Sequence, residues 1–111
     1  MEVVKKFPET MDARTEYKLI KAPAKRMSDA VDSVLEVKSW LLASEADTVT
    51  GEPKEILTLE TNDGEIFSTI SSPFMREFAD IVKFFGDDVG AIKVIERTSR
   101  ADRKYLMCVI E

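Results

Sequence analysis

The chain has 111 residues, 44% of them apolar and 33% charged, with a net charge of −5; this suits one domain with a core, since domains most often run to about 100–150 residues. It contains no histidine and a single cysteine, Cys108, which excludes an internal disulfide and a Cys–His zinc site and removes the usual general base. Four prolines and four glycines are too few for a low-complexity or linker sequence.

Residues 1–15 show no sustained period, and residues 1–22 read as a loosely ordered N-terminal arm ahead of one domain over 23–111. Tyr17, Leu19 and Ile20 suggest a short strand or turn that Pro23 ends. Ser28-Asp29 forms a turn or a single helical turn carrying Met27 and Val31. Residues 34–43 are apolar and β-rich and predict a long first strand with a bulge near Trp40. A polar loop over 44–53 leads to a second strand over 56–61. Asn62-Asp63-Gly64 is a strong hairpin signal, because Asn and Gly tolerate the positive φ of a tight turn. A third strand follows over 65–70.

Ser71 or Ser72 caps the one clear helix, with Pro73 at its first position and Gly86 closing it. Its Phe74, Phe78, Ile81, Val82 and Phe85 follow the spacing of one buried face. Residues 91–96 and 105–110 are the fourth and fifth strands around a turn at 98–102. Three strands, a helix and a closing hairpin is the order of a mainly β, five-stranded OB-fold-like Greek-key barrel, with its helix between strands 3 and 4.

No apolar run approaches the roughly 20 residues that cross a bilayer, and no signal-peptide block opens the chain. A cytoplasmic protein without a membrane partner is expected, and a lone thiol suits that reduced setting. The glycines at 51, 64, 86 and 90 are scattered, so no phosphate-cradling loop is present. Asp87-Asp88 lacks the spacing of a calcium loop, and Cys108 lies in an apolar run as a small core residue. Neither metal, cofactor nor catalysis is expected, which leaves binding.

Charge is unevenly distributed. Residues 1–30 hold seven basic and five acidic side chains, residues 31–90 four and thirteen, and residues 91–111 five and three. The densest basic segment, Arg97-Thr98-Ser99-Arg100-Ala101-Asp102-Arg103-Lys104-Tyr105, is the last hairpin turn and adjoins an aromatic. Lys18, Lys21, Lys25 and Arg26 form a second cluster beside Tyr17. Single-stranded nucleic acid needs exposed rings for its bases and cations for its phosphates. Trp40, Phe67 and Tyr105 are the strand aromatics that either supply such a platform or belong to the core. Lys38 shares a face with Trp40 unless a bulge intervenes. Acidic Glu45, Asp47 and Glu52 in the loop after the first strand lower the expected affinity and sharpen its salt dependence. The acidic middle also admits a protein–protein interaction module, gripping a basic partner or pairing with itself through a strand edge.

Residues 55–71 carry Asp63-Gly64-Glu65-Ile66-Phe67-Ser68-Thr69-Ile70-Ser71, which resembles the Asp-Gly-x-x-aromatic-Ser-x-Ile-Ser hairpin of single-stranded DNA-binding proteins from protein-primed Bacillus phages. Ile92-Lys93-Val94 and Thr98-Ser99 resemble that family's closing hairpin. The likeness spans residues 33–110. It implies an OB-fold in the host cytoplasm that coats DNA strands exposed during replication, alongside replication proteins. It implies stacking positions at Phe67 and at or within one residue of Trp40. Where the family carries a tyrosine before the second strand, this chain has Thr48 and Val49. Together these readings assign DNA binding to Trp40, Phe67, Tyr105, Lys38, Arg97, Arg100, Arg103 and Lys104.

Overall fold

A computed structural model describes residues 2–111. The chain is mainly β: seven strands in a curled, half-barrel sheet, with two helices packed on it. The strands are β1 (Glu2–Phe7), β2 (Lys25–Arg26), β3 (Val34–Ala46), β4 (Pro53–Thr61), β5 (Ile66–Thr69), β6 (Ala91–Thr98) and β7 (Lys104–Ile110). Helix α1 covers Ala13–Lys21 and α2 covers Ser72–Phe85. The sheet order is β2-β5-β4-β3-β6-β7, with β1 added on β3. Among the described residues no helix is long and apolar enough to cross a membrane.

The thirteen-residue β3 organises this sheet. One edge pairs with β4 from Val37 to Ala46, while the other is shared: Val34 to Glu36 take β6, and Trp40 to Ser44 take β1. That second stretch of edge is what draws in the N-terminal segment. The arm expected to be loose is therefore β1 and α1, and seven strands and two helices replace the expected five and one. In α1, the Asp12 carboxylate accepts a 2.8 Å bond from the Thr15 amide at the N-terminus. Leu19 packs with Met11, Leu41, Ala43 and Ile66 on the outer face of the sheet.

The inner face holds the main core, in which Leu35, Val37, Trp40, Leu57, Leu59 and Phe67 meet Ile92, Val94 and Cys108. Helix α2 closes it with Phe74, Phe78 and Ile81. Ser71 Oγ accepts from the Phe74 amide at 3.3 Å, and Gly86 leaves the helix at φ 87, a backbone angle glycine adopts without strain. The expected buried stripe stops short. Phe85 keeps the helical phase of Phe78 and Ile81 but is exposed at the C-terminal end of α2.

Candidate nucleic-acid interface

Strand alternation gives the β6–β7 hairpin two different faces. Ile92, Val94 and Cys108 point inward and are fully buried. On the outer face, cross-strand pairing sets Lys93 beside Val109, Ile95 beside Met107 and Arg97 beside Tyr105. Lys93, Ile95, Tyr105, Met107 and Val109 are half-buried, and Arg97 is exposed. The outer face is thus an apolar strip with a phenol ring and two cations on it. None of these outer-face residues belongs to either buried cluster.

The tip adds charge. The Ser99 amide donates to the Arg103 carbonyl at 2.8 Å and the Asp102 amide to the Ser99 carbonyl at 3.0 Å. Asp102 takes φ 60, a left-handed position Asp tolerates better than most residues. This compact turn holds Arg100 and Arg103 out in solvent. Lys104 lies 3.8 Å from Glu96. Among the described residues, Lys93, Arg97, Arg100 and Arg103 have no carboxylate within ion-pair distance. Guanidinium groups left free in this way suit the planar, bidentate recognition of phosphate.

Two of the three expected stacking rings are not available. Trp40 is 3% exposed and Phe67 5%. The cause at Trp40 is the bulge itself: Val37 pairs with Thr61 and Ser39 with Glu60, so Lys38 is the extra residue. The bulge breaks the alternation between Lys38 and Trp40, leaving the lysine in solvent and turning the indole inward. There it meets Phe78 edge-on at 5.3 Å between centroids and donates its N–H to the Asp87 carbonyl at 2.8 Å. Phe67 is sealed because its face of β5 turns onto the main core, while the neighbouring Ile66 faces the α1 cluster. Lys25 Nζ stands 5.8 Å from the Phe67 ring centroid. So Tyr105, Arg97, Arg100, Arg103 and Lys104 come together on one hairpin, while Trp40, Phe67 and Lys38 do not join them.

The second basic cluster, Lys18, Lys21, Lys25 and Arg26 beside Tyr17, lies in part on a helix rather than on the expected strand or turn. On α1, Arg14, Tyr17, Lys18 and Lys21 fall at i, i+3, i+4 and i+7 and all are exposed, Tyr17 by 68%. Spacing and an Asp cap were the available signals, obscured because a nine-residue helix with one buried residue resembles a strand over so short a window. Lys18 is committed elsewhere. Its Nζ lies 2.6 Å from Glu60 Oε2, and Ser39 Oγ donates to the other carboxylate oxygen at 3.0 Å. Burial alone would raise the Glu60 carboxyl. The Lys18 and Ser39 hydrogen bonds, with the charges of Lys18 and Lys38, outweigh that and hold it below its ordinary value.

Cys108 is fully buried. Desolvation, with the charge of Glu77, pushes its thiol up to about 12, so it stays protonated at neutral pH and packs as an apolar side chain. Comparison with protein-family models, with curated protein sequences and with solved structures returns no match for this chain.

Proposed function

We propose that the protein binds single-stranded DNA through the outer face and tip of the β6–β7 hairpin, with phosphates on Arg97, Arg100, Arg103, Lys93 and Lys104 and one base on Tyr105. The observation that carries this reading is the set of unpaired arginines sharing one hairpin with a half-exposed ring. In chain order β3-β4-β5-α2-β6-β7, with β3 pairing both β4 and β6, the connectivity supports an OB-fold opened between β5 and β7. The Asp63-to-Ser71 motif supports kinship with phage proteins that coat DNA during replication.

The mechanism differs from a three-ring platform. One stacked base contributes roughly 1–3 kcal/mol, so phosphate contacts carry most of the affinity. On single strands each contact contributes about −0.7 to the slope of log K against log salt, so four or five contacts give a slope near −3. With a net charge of −5, repulsion from the acidic remainder steepens the loss further.

Fluorescence anisotropy of end-labelled oligo-dT at low salt tests this directly. Saturable binding at micromolar protein is expected, together with its loss in R97E/R100E/R103E. Quenching of Trp40 is not expected, since the indole is enclosed. No binding at low salt, or undiminished binding by the triple variant, overturns the reading.

A further inference from the structure

Helix α2 ends on two exposed aromatic rings, Phe84 at 79% and Phe85 at 61%, followed by Gly86-Asp87-Asp88. Two adjacent phenylalanines in solvent are more than the scattered apolar exposure ordinary in a monomer. Beside them, on the flank of the same helix, lies a groove of about 520 Å³ lined by Leu57, Met75 and Val82, with Arg76 and Lys83 outnumbering Glu55 at its edge. Neither Arg76 nor Lys83 has a carboxylate within ion-pair distance among the described residues. Asp87 is held by Lys5 at 3.1 Å, whereas Asp88 is exposed and without an ion-pair partner there.

An apolar projection next to a negative charge, and an apolar groove edged by positive charges, therefore lie along one helix, with Lys83 of the groove adjoining Phe84. A patch with both halves of a contact is self-complementary under a two-fold rotation, where each copy gives and receives the same contact. We propose that this end of α2 is a homodimer interface: Phe84 and Phe85 of one copy enter the groove of the second, and Asp88 faces Lys83 across the boundary. The inference stands independently of nucleic-acid binding.

Sedimentation equilibrium of the full chain, from low to high micromolar concentration at low salt, tests it. A reversible monomer–dimer equilibrium is expected. F84S/F85S raises the dissociation constant at least about tenfold, and so does either charge reversal, Lys83→Glu or Asp88→Lys, since a close interfacial charge pair is commonly worth that much. The combined K83E/D88K restores dimerisation to within about threefold of the native chain. All four side chains are exposed, so the variants keep the native circular dichroism spectrum. A native chain that stays monomeric throughout overturns the proposal. So does wild-type dimerisation by F84S/F85S, or a combined charge reversal that fails to restore what the single ones lose.

Discussion

Strands β5 and β6 each carry large apolar residues beside polar ones, yet they end in opposite circumstances. Along β5, Ile66, Phe67 and Thr69 are all buried, because α1 lies on one side and the core on the other. Along β6 only Ile92 and Val94 are buried, and Lys93 and Ile95 stay half-exposed. The sidedness of a strand is thus set by what is laid over it, and here the cover comes from a segment more than forty residues earlier in the chain. An aromatic ring is core on the inward face of β5 and candidate binding surface on the outer face of the hairpin.

That contrast breaks most visibly at Trp40. Trp40→Ala removes a ring that meets Phe78 and an indole hydrogen bond, and is expected to cost about 3–5 kcal/mol in urea unfolding. Oligonucleotide affinity of the folded fraction should be unchanged; a loss of binding without loss of stability would return the ring to the surface. Leu19→Ala tests the cover. It should lower stability by about 2 kcal/mol through loss of buried contacts with Leu41 and Ile66, again without affecting hairpin binding measured by anisotropy.

Glu60→Gln probes the tie between α1 and the sheet, with an expected loss of about 1–3 kcal/mol at neutral pH for a hydrogen-bonded buried charge. Because the folded carboxyl lies below its ordinary value, its stabilisation is complete above the unfolded value of about 4.3 and disappears as pH falls through the folded one. Urea midpoints of the native chain and the Gln variant should therefore converge in acid; a constant gap would show that the charge is not the cause. The smallest effect belongs to Tyr105→Ala on the open face, which should weaken oligo-dT binding about five- to tenfold, near 1 kcal/mol.

Local signals in the sequence were read well where the physics is local. The ends of α2 follow from Ser71, Pro73 and Gly86, and the turn between β4 and β5 from Asn62-Asp63-Gly64, with Gly64 at φ 88. The basic tip and Tyr105 were likewise legible, since charge and strand phase sufficed to place them together. Trp40 failed because one inserted residue, Lys38, inverts every side chain after it. A bulge near Trp40 was expected, but only the pairing with β4 fixes which residue is extra. Phe67 failed because strand alternation does not say which face of β5 turns onto the main core, and it is the face carrying Phe67 that does.

The division of one β3 edge between β6 and β1 has a consequence for handling the protein. Cleaving the chain within residues 2–7 would strip the partner from Trp40 to Ser44 and leave a row of unsatisfied amides and carbonyls along an apolar stretch, Trp40-Leu41-Leu42-Ala43. Such an open margin templates pairing with other chains. A proteolytic nick or a bulky tag near that end would therefore open a margin that seeds precipitation while the rest of the sheet stays paired.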